Sequence, residues 1–280
     1  MSSLSERSAL LALRLITYLV VCTVGFIVFD IVIKGIGVVN WSFLTTNPQG
    51  AAGGIFPAIV GTLYLVFGAI VVALPLGMAS AIYLTEYAKQ GRLTNTIRLA
   101  IVTLAGVPSI VFGLFGLGLF VLFFGFGTSI LSGSLTLACM VLPTIIVSSE
   151  EALRAVPLAL RDASLALGAT KWETIRKSVL PYAIPGMMTG SILGIGRAAG
   201  ETAPILLTVA AFSLPQLPRS VYDQVMALPY HLYVLATQFP NQDEARPTAY
   251  GTALVLLLLV LGLNTGAIVL RSHFRRRNKW

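Results

Sequence analysis

Six apolar blocks run through this chain, near residues 15–33, 56–84, 99–125, 130–147, 182–209 and 249–270. The hydrocarbon core of a bilayer is about 30 Å thick, so a helix needs about 20 apolar residues to cross it. Each block meets or approaches that length. No water reaches backbone N–H and C=O groups in hydrocarbon, and a helix satisfies its own internally. The blocks therefore predict an all-α membrane protein with six transmembrane helices. The rest of the composition agrees, because only 11% of the residues are charged and the mean hydropathy is +0.86. A soluble domain carries roughly a quarter charged residues to cover its wet surface.

The charges that remain orient the chain. Fifteen of the 19 Lys and Arg residues fall in segments on one side: near Arg7 and Arg14, between Lys89 and Arg98, between Arg154 and Lys177, and in the tail from Arg271. Only Lys34, Arg219 and Arg246 fall on the other side, and Arg197 lies inside a block. Basic loops stay in the cytoplasm, so both termini are expected there. This gives a cytoplasmic N-terminus (1–14), one transmembrane domain (15–270) and a basic cytoplasmic tail (271–280). A net charge of +8 would suit nucleic acid, but these residues flank apolar blocks instead of forming one basic face, which excludes that partner and leaves membrane lipid. Cys22 and Cys139 lie inside apolar blocks and read as small buried residues, with neither disulfide nor metal spacing. The first block lacks a small-x-small cleavage site after it, so it is expected to stay as an anchor.

Two outer connections are long. Residues 40–56 are rich in Gly, Pro and Asn and read as irregular loop. Residues 213–247 contain a moderately apolar run, 221–239, broken by Pro229, which predicts a helix at or dipping into the outer surface. Asp30 and Lys34, four residues apart at the outer end of the first block, read as an interface ion pair.

The cytoplasmic loop 148–181 carries the densest local signals. Pro157 suits a first helical position, residues 158–167 read as a short helix, and Gly168 is its stop. Thr170-Lys-Trp-Glu173 is a capping box that starts a second helix, with Trp172, Ile175 and Val179 at helical spacing. The loop is predicted to be a helix–turn–helix projecting into the cytoplasm, resting on headgroups or docking a partner protein.

The fifth block reads Gly194-Ile-Gly-Arg197-Ala-Ala-Gly-Glu201-Thr-Ala-Pro204. A charge at mid-membrane costs about 2.5–3.5 kcal/mol even on lenient insertion scales, so such residues face protein or water. Four residues apart on one helix, Arg197 and Glu201 share a face with Gly186, Gly190, Gly194 and Thr208. A stripe of glycines lets another helix approach closely. The pair is expected on a helix-contact face, serving either packing alone or an anion pathway. Arg suits an oxyanion, because its planar fork makes paired hydrogen bonds.

Both regions resemble one family. Arg161-Asp-Ala-Ser-Leu-Ala-Leu-Gly168, continuing to Ser178-Val-Leu-Pro181, is similar to the signature loop of ABC-importer permeases. Asp162 stands for the usual Glu, Ser164 for the second Ala and Ser178 for Ile. The resemblance implies a type I ABC-importer permease fold and a coupling helix seated on an ATPase, with Asp162, Ala163, Gly168, Leu180 and Pro181 as coupling residues. That ATPase is expected to be a separate chain holding ATP and magnesium, since no Lys here follows a Gly as a Walker A loop requires. No cofactor or catalytic residue is expected in this chain, and it is not expected to be an enzyme. Gly196-Arg-Ala-Ala-Gly-Glu-Thr-Ala-Pro204 resembles the corresponding motif of phosphate-specific ABC permeases, the PstA-type subunit in particular. Gly61-Thr62, Ile82-Tyr-Leu-Thr-Glu-Tyr87 and Val107-Pro-Ser-Ile-Val-Phe-Gly113 fit the same family. This implies a bacterial inner-membrane subunit paired with a PstC-type permease, two ATPase subunits and an external phosphate-binding protein. It further implies a pathway lined by Arg197, Glu201 and Thr202. The alternatives are a permease for molybdate, sulfate or phosphonate, and a self-contained ion-coupled carrier. A membrane enzyme is disfavoured, because His231 and His273 fall on opposite sides.

Overall fold

A computed structural model describes residues 3–50, 52–214 and 216–277. The first long helix, α1, covers Ser3–Ile36. A short α2 (Trp41–Thr45) and a hairpin of two-residue strands, β1 (Pro48–Gln49) and β2 (Ala52–Gly53), make up the first connecting loop. Next comes α3 (Phe56–Ile82), which ends in a π-turn over Tyr83–Tyr87. Then α4 (Arg92–Ala105) leads to α5 (Ser109–Gly116) and its π-helical extension Leu117–Phe123. The sixth helix, α6, is Ile130–Arg154. The 148–181 loop holds α7 (Leu158–Ala166) and α8 (Lys171–Thr174), which runs through a π-turn at Ile175–Val179 into α9 (Leu180–Gly200). Last come α10 (Ala203–Thr208), α11 (Leu228–Thr237) and α12 (Gln242–Arg277).

Among the described residues, five helices are long and apolar enough to cross a membrane, or six if α4 and the α5 segment form one crossing. That third span is not the single helix expected over 99–125. It bends by 104° between Ala105 and Ser109, where Pro108 has no N–H to continue the ladder and disfavours helix at Val107. The π-helical tail then keeps the polypeptide hydrogen-bonded up to Phe124.

The buried centre is α6, packed between α3 and α9, whereas α1 touches the bundle mainly through α12. Small residues set these distances. A Cβ on Gly77 would stand 2.6 Å from Ile145, and one on Gly68 would stand 2.8 Å from the Ser134 Cβ, so α3 approaches α6 nearly to backbone contact.

Contacts sort by the sides that the charges define. At one end the Ser129 amide donates to Thr208, the Ile130 amide to Asp223 and the Leu131 amide to Val221. At the other, Arg98 pairs with Glu150 and Arg161 with Glu86. Lys34 and Asp30 pair at 2.7 Å, and Tyr250 of α12 donates to the same carboxylate at 3.1 Å.

The 221–239 run is interrupted as its sequence reading expects, non-helical through Ala227 with α11 starting at Leu228. Pro229 lies in the first turn of α11, where a missing N–H costs nothing. The segment dips inward and is covered by protein, with Met226, Leu228 and Leu235 all fully buried. Gly61 leaves room for the Met226 carbonyl, and Thr62 accepts the Leu228 amide at 2.9 Å. His231 of α11 is also buried, stacked on Phe212 at 5.4 Å, and burial pushes its pKa down to about 4. It is therefore neutral at physiological pH.

Candidate functional site

Three glycines of α9 shape the site. A Cβ on Gly190 would collide with the Ser148 hydroxyl, and one on Gly186 would stand 2.7 Å from the Ala152 Cβ. The inner half of α9 thus rests on α6 with almost no side chain between them. Gly194 makes only ordinary contact with Ile145 and Val141 at 3.5 and 3.6 Å. Beyond these contacts the helices leave a groove of about 1080 Å³, closed on its third side by α12. Its polar lining comes from Thr144, Ser148 and Glu151 of α6, Thr189 and Arg197 of α9, and Asn264 and Arg271 of α12, so two cations and one carboxylate face it.

Arg197 lies in the last turn of α9, and its Nε donates to Glu201 Oε1 at 3.3 Å. Its side chain is 35% exposed against 17% for Glu201. The carboxylate is therefore the anchored partner, and the guanidinium has free donors toward the groove. Glu201 and Thr202 are not among the groove's lining residues.

The fifth span is broken where the sequence suggested one helix over 182–209. Glu201 is extended and α10 begins only at Ala203, so Thr208 does not share the Arg197 face; it is buried at the outer end of α6. Irregular backbone at membrane depth persists only where protein or a cavity surrounds it. Here α5 supplies the cover. A Cβ on Gly113 would stand 3.0 Å from both the Ala203 carbonyl and the Pro204 Cα, so the Val107–Gly113 motif packs directly on the Thr202–Pro204 motif.

Asn264 was not singled out from the sequence. Its side chain lies over Gly196, where a Cβ would stand 2.8 Å from Oδ1, and that Oδ1 is buried without a hydrogen-bond partner. The signal was present, since it is an amide inside an otherwise apolar block. Arg271, counted only as a basic tail residue, lines the same groove.

The 148–181 loop has the expected hairpin form. Gly168 takes φ +82°, a left-handed conformation that glycine accepts without penalty, and α7 stops there. Thr170 and Glu173 form the reciprocal capping box. Ser164 accepts from the Thr174 hydroxyl at 3.0 Å, tying α7 to α8. Ile175 and Val179 are buried, while Trp172 is exposed. Asp162, Ala163 and Gly168 are all exposed, beside Leu158 at 73% and Leu167 at 89% exposure. Leu180 and Pro181 are half-buried at the start of α9. An exposed apolar tip of this kind suits a protein or membrane contact.

A bundle of broken helices flanking a charged groove, with an exposed helical hairpin at one end, is an arrangement that suits a membrane permease. The comparisons with known proteins agree. Residues 73–280 match the family described as binding-protein-dependent transport system inner membrane component, and the chain belongs to that family. It is 35% identical over 251 residues to the probable ABC transporter permease protein YqgI of Bacillus subtilis, covering 85% of each chain. It is 38% identical over 233 residues to the phosphate transport system permease protein PstA 1 of Mycobacterium tuberculosis, covering 83% of this chain and 74% of that one. Among solved structures, a bacterial ABC transporter that imports the acidic polysaccharide alginate matches with a TM-score of 0.65 at 16% identity, covering 94% of both chains. The inward-facing MetNI methionine transporter matches with a TM-score of 0.60 at 18% identity, covering 79% of this chain and 94% of that one. These likenesses show the type I ABC-importer permease fold, in an inner-membrane component that is not itself a catalytic subunit.

Proposed function

We propose that this chain is the PstA-type subunit of an ATP-driven phosphate importer, and that phosphate passes along the groove walled by α6, α9 and α12. The observation that carries this reading is the free side of the Arg197 guanidinium on that wall. Glu201 holds one edge of the fork and offsets part of its charge, so an anion meets a cation that does not retain it. Asn264 and Arg271 add an amide and a second cation along the same groove, and the Glu151 carboxylate offsets part of that charge. Likeness to relatives named for phosphate transport supports phosphate over other oxyanions. A PstC-type permease would complete the pathway, an external phosphate-binding protein would deliver the substrate, and two ATPase subunits would bind ATP and magnesium. The exposed face of α7 with Asp162 and Ala163, and the turn at Gly168 after it, form the surface offered to an ATPase, and Leu180 and Pro181 begin α9 behind it.

Vesicles holding this chain with the subunits that co-purify with it are expected to accumulate radiolabelled phosphate only when ATP and the binding protein are present. Accumulation of sulfate or molybdate without phosphate would assign a different oxyanion. The same reading puts both termini and the 148–181 loop in the cytoplasm. In a chain lacking Cys22 and Cys139, an impermeant thiol reagent applied to intact cells should label a cysteine at Asn241 and spare one at Thr170. The reverse pattern would invert the topology.

A further inference from the structure

Three cations from three elements close on one five-residue turn. The π-turn Tyr83–Tyr87 ends α3, and Arg161 of α7 donates to its Glu86 Oε1 from Nη2 at 2.8 Å and from Nε at 3.3 Å. The same guanidinium donates to the Val156 carbonyl at 2.6 Å and the Leu153 carbonyl at 2.8 Å, the backbone at the C-terminal end of α6. Lys171 of α8 sits 5.0 Å from the centroid of the Tyr87 ring. Arg98 of α4 donates to the Leu84 carbonyl at 2.7 Å and to Glu150 of α6 at 3.3 Å.

The Arg161 site is well shielded. The Arg161 side chain is 14% exposed and that of Glu86 is 10% exposed, where charge-assisted bonds are stronger than at a wet surface. No residue of α7 is buried, so apolar packing alone does not fix this helix to the membrane domain. Arg161 stands next to Asp162, which belongs to the exposed face. Its four bonds join that face to the ends of α3 and α6, and α6 is a wall of the Arg197 groove.

We propose that Arg161 is the positioning residue that relays motion of the cytoplasmic loop to the transport groove, with the Tyr83–Tyr87 turn as its receiver on α3. The proposal rests on reading the loop as an ATPase contact. A push on α7 displaces the guanidinium, which drags the Glu86 carboxylate and the α6 terminus together. Without this clamp the loop still reaches its partner, but its movement is lost before the membrane.

The test uses the complete complex in vesicles and reads phosphate transported per ATP hydrolysed. Glu86→Gln keeps volume and loses the charge, and Arg161→Lys keeps charge and loses the fork with its carbonyl bonds. Each is expected to lower the ratio at least about fivefold, the low end of a normal coupling effect, with ATP hydrolysis still present. A purely structural role lowers the amount of complex, or both rates together, and a wild-type ratio in the two variants would overturn the relay. If neither variant assembles, Lys171→Met and Tyr87→Leu remove the exposed ring contact on the same turn. They are expected to lower the ratio about twofold, and an unchanged ratio is again contrary. Leu167→Cys with a short bifunctional cross-linker separates the two levels. A cross-link to the ATPase with an unchanged ratio rejects the relay alone, whereas no cross-link rejects the coupling reading beneath it.

Discussion

Replacing Arg197 by alanine is expected to lower phosphate uptake by about a hundredfold or more, with the protein still inserted in the membrane. Truncating one partner of a buried, hydrogen-bonded charge pair costs about 2–5 kcal/mol. The Arg197 side chain is 35% exposed, so the lower half of that range applies, and about 2.8 kcal/mol corresponds to a hundredfold at about 1.4 kcal/mol per tenfold. Two effects act together. The anion loses its donor, and Glu201, with a side chain only 17% exposed, is left without its cation and repels any anion that enters. Arg197→Lys restores the charge but offers a point instead of a fork, so uptake should recover only in part. Initial rates of radiolabelled phosphate uptake, normalised to the amount of complex, measure both variants. Equal rates in Arg197→Ala and wild type would remove this residue from the pathway.

Gly190→Val should be nearly as damaging, for a different reason. A Cβ at residue 190 would occupy the space of the Ser148 hydroxyl, and Ser148 cannot yield far because its own hydroxyl donates to the Thr144 carbonyl at 2.7 Å. Overpacking a tight core costs about 1–3 kcal/mol, and here the strain falls on the seam between α6 and α9. The expected result is a lower yield of folded protein in mild detergent and little uptake. The alanine variant isolates the cause, since Gly190→Ala should be partly rescued by Ser148→Gly, which empties the contested space. Gly194→Ala should be tolerated, because its Cβ would find ordinary contacts of 3.5 Å or more. Thermal stability of the four proteins in detergent decides the matter, and equal loss in Gly190→Ala and Gly194→Ala would contradict the seam.

The long-range plan was legible because it rests on averages. The apolar blocks require no knowledge of packing, and the glycine stop and capping box at Gly168 and Thr170–Glu173 are strictly local. The breaks were not legible in the same way. A hydropathy window runs smoothly over Gly106–Pro108 and over Glu201–Thr202, since three residues barely change its mean. Whether such a break bends or severs a span depends on what covers the freed backbone. For the second break that cover is α5 at Gly113, about 90 residues away in sequence. Helical spacing correctly brought Arg197 and Glu201 together, although Glu201 lies just beyond the helix end.

Partnerships between distant segments were invisible for the same reason. Glu86 sat inside a motif noticed only for its likeness to a family, and Arg161 was counted as one more inside charge. Their pairing spans 75 residues, which no local periodicity reports. Asn264 carried a readable signal, an amide in an apolar block, but one polar residue without a neighbour gives no direction. Its place over Gly196 appears only when α9 and α12 are packed together.

The central claim is that Arg197 acts as an anion station and not as a packing salt bridge, and exchanging its charge with Glu201 tests this most directly. Arg197→Glu with Glu201→Arg keeps an ion pair at the end of α9, so the doubly substituted chain should insert and assemble. The cation, however, moves four positions along the chain onto residue 201, which lies beyond the end of α9 and does not line the groove. ATP-dependent phosphate uptake by vesicles holding equal amounts of complex should therefore stay near the background of Arg197→Ala. Uptake at the wild-type rate would show that any ion pair suffices there, and would contradict the claim.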